Sequence, residues 1–264
     1  MAKRAFAVVA HPDDIEFMFA GTLLLLGQAG YELHYMNIAN GNCGTNKMGR
    51  EEIERVRTQE ARNAASKLGA TFHPPIANDV EIFFNRELLA KVAAVMREVA
   101  PEILLVHSPD DYMEDHMNAC RLAVSGAFTR GMPNYPTDPP RQPVPQDVTI
   151  YHAQPWSNRG QLNQLIYPHM FVNIESVIET KRVALAEHKS QKDWLDESQG
   201  LDSYLDEMVT QGREVGGLSG QFKYAEGWRR HNPQGYCSID ADPLRGALKE
   251  YVILTPEIDP MHFG

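Results

Sequence analysis

The sequence predicts an α/β protein with a Rossmann-like, mostly parallel sheet flanked by helices. The first half of the chain alternates apolar, strand-like runs with helix-like segments, which is typical of βαβ crossovers. The runs at residues 5–10 and 103–107 have the composition of buried strands. With 264 residues, 43% of them hydrophobic, the chain can form one α/β domain with a substantial core.

Each predicted element of the first half is an apolar run ended by a residue that breaks it. After the first strand we expect a helix at 17–29 closed by Gly30, a strand at 31–39, a helix at 50–68 closed by Gly69, and a short strand at 70–76. Asn85 is expected to cap a helix that ends near Ala100, before Pro101. The strand at 103–107 then leads into a helix at 119–127.

The second half differs from the first in composition. Residues 131–147 are rich in proline and predict a loop or lid. The later predicted elements are strands at 148–151 and 170–174, a helix at 175–190 and a short helix at 205–211. Because no repeat or clear linker divides the chain, we expect a single domain over 1–264, with a Rossmann-like core at 1–130 and a loop-rich extension at 131–264 that completes the sheet and pocket.

The composition excludes several classes of function. The formal charge of -10 argues against binding to nucleic acid or to anionic membranes, and no apolar run approaches the roughly 20 residues that span a bilayer. Three cysteines without a CxxC pair predict neither a disulfide framework nor a Cys-rich zinc site, so a cytoplasmic location is expected. No G-x-G-x-x-G follows the first strand, which disfavours a nucleotide-binding protein.

A histidine and two carboxylates directly follow the first predicted strand. The apolar run stops at His11, and Asp13 and Asp14 come within the next three residues. In an open α/β sheet, ligands and catalytic groups collect at the carboxyl ends of the strands. His plus carboxylate is a ligand set of catalytic zinc sites, and a second carboxylate beside it can serve as a base. The segment therefore predicts a metal-assisted hydrolase.

A second group of the same kind follows the strand at 103–107. If the two strands lie close together, His116 completes a His-Asp-His site with His11 and Asp14 and leaves a position open for water. Asp13 is then the base, and Asp115 can orient an imidazole through its second nitrogen. The alternative is that the aspartates of either segment only cap the following helix. Two such clusters, each at a strand-to-helix switch, favour the metal site.

The first of these motifs resembles the signature of the LmbE-like (PIG-L) zinc-dependent de-N-acetylases. It runs Ala10-His11-Pro12-Asp13-Asp14-x-Glu16. In having one residue between Asp14 and Glu16, the motif resembles the branch of the family that includes bacillithiol-type and diacetylchitobiose-type enzymes. Further segments fit the family in the right order: Ala20-Gly21-Thr22, Arg57 to Gly69, Asp115-His116, Ala184 to Gln191, and Phe222 to Trp228. The resemblance spans most of residues 5–230 and implies an LmbE-like fold.

The resemblance implies a hydrolase that removes an N-acetyl group from a small N-acetylglucosamine-type conjugate. It assigns His11, Asp14 and His116 to Zn²⁺, with Fe²⁺ as the alternative metal, and Asp13 to the general base. Asp115 would support the imidazole environment of the site. Members of the family are often homo-oligomers, so a trimer or hexamer is expected.

Three residues are candidates for contact with the sugar. The resemblance implies that Arg57 contacts the sugar or its acetamide. Asn42, in the loop after the second strand, and Tyr224, in a late aromatic segment, are further candidates. The alternative for Tyr224 is a place in the core, because aromatic residues at helical spacing, such as Tyr224 and Trp228, are more often core residues.

One position departs from the family pattern. The second motif usually reads His-Pro-Asp-His, and Met113 stands in place of its first histidine. A thioether neither polarises a carbonyl nor protonates an amine effectively. We expect a substitute donor, and the candidates are Tyr112, Glu114, His107, His152 and His231. Two alternatives stay open: a metallohydrolase acting on a different amide or ester, and a catalytically impaired protein that binds metal or sugar.

Overall fold

The computed structural model describes residues 3–192 and 204–255, and these build an eight-stranded mixed sheet flanked by helices. The strands are Arg4–Val9 (β1), Glu32–Asn37 (β2), Ala70–His73 (β3), Ile103–Val106 (β4), Thr149–Ala153 (β5), Met170–Asn173 (β6), Ala225–Arg230 (β7) and Val252–Leu254 (β8). Their spatial order is β3-β2-β1-β4-β5-β7-β6-β8. The first five in that order are parallel, and β7, β6 and β8 join by antiparallel pairing. The predicted α/β class with a mostly parallel sheet is confirmed.

Eight α-helices lie wholly within the described ranges. They are Asp14–Met18 (α1), Ala20–Gln28 (α2), Arg50–Lys67 (α3), Arg86–Val99 (α4), Glu114–Thr129 (α5), Ile178–Leu185 (α6), Tyr204–Ser219 (α7) and Pro243–Leu248 (α8). Short 3₁₀ turns are formed by Trp156–Asn158, Glu175–Val177 and Lys249–Tyr251. None of the helices described is both long enough and apolar enough to cross a membrane.

The strand order places the chemistry of the chain at one edge of the sheet. β1 lies between β2 and β4, and Val8 is in register with Met36 on one side and Val106 on the other. The chain runs from β1 outward in both directions, so the gap beyond the ends of β1 and β4 is a topological switch point. The polar segments that follow these two strands therefore meet, as the sequence predicted.

The core has two parts, one on each face of the sheet. Alternate residues of β1 point to opposite faces, so that Ala5 and Ala7 join one apolar cluster while Phe6 and Val8 join the other. The first cluster includes α2 and the late elements, and the second includes α4 and α5. Burial on both faces explains why β1 and β4 are continuous apolar runs.

Several elements differ from their predicted bounds for identifiable reasons. The helix expected at 17–29 is two helices that meet at Phe19. β3 ends at His73 because Pro74 and Pro75 follow, and proline cannot donate to the strand ladder. Helix α5 begins at Glu114, five residues before the expected start, and carries two acidic residues in its first turn, where the helix dipole favours negative charge.

Two predictions for the second half also change, and one late strand was not predicted. The helix expected at 175–190 is a 3₁₀ turn followed by α6, which ends at Leu185. The short helix expected at 205–211 extends over all of α7. The segment that contains Trp228 is the strand β7, and this indole is fully buried and donates through Nε1 to Thr22 Oγ1 at 2.9 Å.

Two buried arginines fix the proline-rich segment at 131–147. Arg97 donates to the main-chain oxygens of Thr129, Met132, Tyr135 and Arg141 at 2.7–3.2 Å. Arg130 donates to the oxygen of Gln146 at 2.6 Å and to that of Tyr236 at 2.7 Å. These contacts tie the segment to α4 and α5, so it is a loop anchored to the helix layer.

Candidate active site

A cavity of about 810 Å³ opens beyond the carboxyl ends of β1 and β4. It lies where the strand order predicts a binding crevice, and its size is within the usual range for small-molecule sites. Described residues that line it include His11, Asp13, Asp14, Phe17, Cys43, Arg57, Asp79, Val80, Tyr112, Met113, Glu114, His116, Trp156, Gln191 and Glu207.

His11, Asp14 and His116 bring three metal-type donor atoms together in this cavity. One ligand atom from each lies within 4.8 Å of the other two, and all three residues are buried. His116 Nε2 is 3.4 Å from Asp14 Oδ1, and His11 Nδ1 is 3.6 Å from Asp14 Oδ2. Two imidazoles and a carboxylate with an open side fit a catalytic zinc or ferrous centre. The structure thus assembles the three predicted ligands into one site.

A separate carboxylate orients each imidazole. His11 Nε2 donates to Asp115 Oδ2 at 3.0 Å, and His116 Nδ1 donates to Asp111 Oδ1 at 2.9 Å. Each ring therefore directs its other nitrogen toward Asp14, as histidine ligands of metals usually do. The imidazole that Asp115 contacts is that of His11, and not that of the neighbouring His116. Asp111, which the sequence offered only as a possible helix cap, takes the same role for His116.

The charge of the unmetallated cluster follows from this pairing. Burial lowers the pKa of His11, but Asp115 and Asp14 outweigh it and raise the pKa to about 10. Burial also lowers the pKa of His116, but Asp14 and Asp111 outweigh this effect and raise it. Burial opposes ionisation of Asp14, yet His116 and His107 hold the pKa of its carboxyl well below the ordinary value. Protons therefore occupy positions that a cation would take on binding.

His107 supports this cluster from below the cavity. Its ring stacks on that of His116 with centroids 4.2 Å apart, and the Ala10 N–H donates to its Nε2 at 2.9 Å. Burial lowers the pKa of His107, and its Nδ1 has no partner among the described residues. Because the residue is fully buried and does not line the cavity, it does not replace the histidine missing at 113.

Asp13 has a strained backbone and a well-held side chain. Its φ of 104° lies in the left-handed region, which non-glycine residues rarely adopt outside sites that require it. The Tyr204 hydroxyl donates to Asp13 Oδ2 at 2.6 Å, and Arg57 Nη2 lies 4.0 Å from Oδ1. Burial raises the pKa of Asp13 to about 6, although Arg57 lowers it. Tyr204 was not anticipated, because it follows Asp13 by 191 residues and belongs to no motif.

Arg57 lines the cavity but is largely engaged by the protein. Its Nη2 donates to the Pro12 oxygen at 2.7 Å and its Nη1 to the Gly41 oxygen at 3.3 Å, with Asp79 Oδ2 3.8 Å away. A Cβ on Gly41 would lie 2.6 Å from Arg57 Cδ, so the glycine is needed for the loop to close over the arginine. Arg57 therefore fixes the backbone beside Asp13.

Asn42 and Tyr224 do not reach the cavity. Asn42 is buried and binds Asn78 Oδ1 at 2.8 Å, and its own Oδ1 accepts from the Asp79 N–H at 3.2 Å. Tyr224 packs against the core, with Lys223 Nζ 5.0 Å from its ring centroid. These contacts make Asn42 part of the loop framework and Tyr224 part of the outer core, so the structure does not support them as sugar contacts.

Two of the five candidates to replace the missing histidine reach the cavity. Tyr112, 60% exposed, contacts the His116 ring in a T-shaped arrangement, and Glu114, like Met113, lines the cavity. His152 and His231 pair with each other at 2.9 Å between Nε2 and Nδ1 and do not line the cavity. The structure therefore leaves Tyr112 and Glu114.

Comparison with known proteins gives a family and two kinds of activity among relatives. Diacetylchitobiose deacetylase of Thermococcus kodakarensis is 27% identical over 204 residues, covering 72% of this chain and 70% of that protein. A 4-oxalmesaconate hydratase of Pseudomonas putida is 28% identical over 192 residues, covering 69% and 72%. The structure of N,N'-diacetylchitobiose deacetylase from Pyrococcus horikoshii superposes with a TM-score of 0.73 at 22% identity, over 92% of this chain and 89% of that one.

A family model agrees with the motifs. It is described as PIG-L: GlcNAc-PI de-N-acetylase, and it matches residues 6–128, which contain β1, β4 and the three donor residues. The resemblance seen in the sequence is thereby confirmed for residues 6–128, which match this family model.

Proposed function

We propose that this protein is a metal-dependent amidohydrolase that removes the N-acetyl group from a small N-acetylglucosamine-type conjugate. The observation that carries the proposal is the position of Asp13, a fourth cavity-facing group adjoining the donors of His11, Asp14 and His116. The deacetylase among the relatives supports the same reaction class. Amide hydrolysis needs both an activated water and a group that moves its proton, and this cluster provides for both.

His11, Asp14 and His116 would hold the metal. Zn²⁺ or Fe²⁺ bound there would lower the pKa of water and stabilise negative charge on the amide oxygen. Asp111 and Asp115 hold the two imidazoles in the orientation that binding requires. His107, stacked on His116, restricts the ring further.

Asp13 carries the proton between water and amine. Tyr204 occupies Oδ2, so Oδ1 is the oxygen that accepts the proton of the attacking water. The same proton passes from Asp13 to the departing amine nitrogen as the C–N bond breaks, giving acetate and the free amino sugar. One carboxyl group acting first as base and then as acid makes an imidazole at position 113 unnecessary.

Tyr112 is the donor that we assign to the amide oxygen. Its hydroxyl is protonated at neutral pH, because an ordinary phenol has a pKa of about 10. Its ring lies 5.6 Å from that of His116, at the side of the cavity where Met113 replaces the usual histidine. A neutral hydroxyl donor can stabilise a developing oxyanion.

The test is amine release from a panel of N-acetylglucosamine conjugates, with metal content measured on the same sample. Wild type is compared with Asp13→Asn and Tyr112→Phe. Asp110→Asn is the control, because Asp110 is not among the residues that line the cavity. We expect release that requires metal and Asp13 and falls by about 100- to 1,000-fold without the Tyr112 hydroxyl. Metal binding without release from any conjugate would contradict the proposal.

A second candidate is addition of water to a carbon–carbon double bond. The 4-oxalmesaconate hydratase is as similar to this chain as the deacetylase, and Met113 removes a group that the family uses on amides. Turnover of 4-oxalmesaconate by wild type, measured beside the glucosamine panel, separates the two reactions directly.

A further inference from the structure

The cavity offers almost no positive charge to a substrate. Arg57 is the only lysine or arginine among the described residues that line it, and its guanidinium already contacts two main-chain oxygens and lies 3.8 Å from Asp79. A divalent cation at the donor cluster would be balanced by Asp14 and Asp13. Asp79, Asp111 and Asp115 add further negative charge beside these groups, so the inner cavity has no net positive charge to offer a substrate anion even when a metal is bound.

Two further carboxylates line the cavity. Glu114 is exposed and makes no hydrogen bond or ion pair with the described residues. Glu207, on α7, accepts one long hydrogen bond of 3.3 Å from Gln211 and has no cationic partner in the described ranges. These two charges give the part of the cavity outside the metal cluster a net negative potential.

An aromatic wall lies in the same cavity. Trp156 and Phe17 contact each other with ring centroids 4.6 Å apart, and both line the space that contains the donor cluster. Flat apolar surface of this kind receives the faces of sugar rings and adds no charge of its own. The volume of about 810 Å³ also leaves room for more than one sugar unit.

We propose that the group attached to the N-acetylglucosamine unit of the substrate carries no negative charge, and that a protonated amine on it improves binding through Glu114 and Glu207. The inference rests on the proposed function, since it concerns the same cavity, and it names the charge class of the substrate. It also weighs against 4-oxalmesaconate, a carboxylate that would meet two unpaired glutamates and, among the described lining residues, no unpaired lysine or arginine.

The test uses three glycosides of N-acetylglucosamine that differ only in charge: the ethyl, 2-aminoethyl and carboxymethyl glycosides. Deacetylation of each by the wild-type holoenzyme is followed by the acetate formed with each amine released, because the 2-aminoethyl glycoside already carries an amine, and binding of each to metal-loaded Asp13→Asn protein is followed by calorimetry. We expect kcat/KM and affinity to rise in the order carboxymethyl, ethyl, 2-aminoethyl, with about a tenfold difference between the charged pair at low salt. The difference should shrink at about 1 M salt, where the Debye length is near 3 Å.

Substitutions assign the effect to the two carboxylates. In the double variant Glu114→Gln, Glu207→Gln, the kcat/KM values for the carboxymethyl and 2-aminoethyl glycosides should lie within about twofold of each other. Asp206→Asn is the matched control, because it removes one charge from the same helix at a residue that ion-pairs with Arg182 and does not line the cavity. It should leave the order and size of the preference unchanged.

The outcomes separate this inference from the proposed function. Equal or reversed ranking of the three glycosides overturns the charge preference while amine release upholds the deacetylase. The expected ranking in binding without any amine release upholds the charge preference and overturns the deacetylase. Absence of both binding and release overturns both. A preference that survives the double substitution removes Glu114 and Glu207 as its source and overturns the inference.

Discussion

Lys181 Nζ lies 2.6 Å from Glu226 Oε1, and both side chains are almost completely buried. The same carboxylate accepts from the Gly21 and Thr22 N–H groups at 2.8 and 2.7 Å. The first turn of α2 is thus joined to β7 and α6, three regions that are far apart in the sequence. Gly21 and Glu226, which both belong to motifs of the family, therefore have a structural role: they hold α2 against β7.

Removing the cation of this pair should destabilise the fold. Lys181→Met leaves a buried carboxylate without its counter-ion, and we expect the free energy of unfolding to fall by about 3 kcal/mol. Urea denaturation measures the change, with Lys223→Met as the control, since Lys223 faces Glu175 at 3.8 Å on an exposed surface. Equal, small losses in the two variants would show that the buried pair contributes no more than an exposed one.

The Asp111 carboxylate should govern metal affinity through His116. Asp111→Asn weakens the 2.9 Å contact that directs the ring, so we expect metal affinity to fall by about 10- to 100-fold with the fold retained. Competition with a chromogenic chelator measures the affinity. Asp110→Asn is the control, because Asp110 instead accepts from Gln161 and Gln164. Unchanged affinity in Asp111→Asn would mean that the imidazole is held by packing alone.

The Tyr204 hydroxyl should affect turnover more than substrate binding. Tyr204→Phe removes the donor from Asp13 Oδ2, so the carboxylate loses its fixed orientation. We expect kcat to fall by about tenfold, corresponding to one hydrogen bond to a charged group, with KM nearly unchanged. Steady-state kinetics on the best conjugate checks this. A rise in KM at constant kcat would assign Tyr204 to substrate binding instead.

The ligand residues were predictable from the sequence because their signals are local. His11, Asp14 and His116 each follow a continuous apolar strand, and parallel strands bring such segments to one edge. The pairing of each imidazole with its carboxylate was not predictable. It depends on where helix α5 begins, and Asp111 and Asp115 are equally plausible partners from their spacing alone.

The late elements were harder to predict because their polar residues are buried. β7 reads Ala-Glu-Gly-Trp-Arg-Arg, which lacks the apolar pattern of a strand, yet its first four residues are buried. Glu226 is tolerated there only because Lys181 and two N–H groups satisfy it. Such compensation is a tertiary property and leaves no periodic signal in the sequence.

A pair of histidines remote from the site should make the protein less stable in acid. His34 Nδ1 lies 3.0 Å from His73 Nε2, a contact that needs one ring nitrogen to be unprotonated. Burial, together with His73 and Arg4, lowers the pKa of His34 from 6.5 to about 4, and burial also lowers that of His73. Between pH 6.5 and 4 the unfolded chain therefore binds more protons than the folded one, so stability falls as the pH falls through this window.

The size of the effect and its origin can be measured together. Because His34 is only partly buried, we expect a loss of about 1 kcal/mol from it between pH 7 and pH 5, less than its full pKa difference implies. Urea denaturation at the two pH values gives the loss in wild type and in His34→Gln, which cannot take up the proton. The variant should lose about 1 kcal/mol less than wild type over this interval. An identical loss in the two proteins would show that other groups, such as the remaining buried histidines, account for the acid sensitivity.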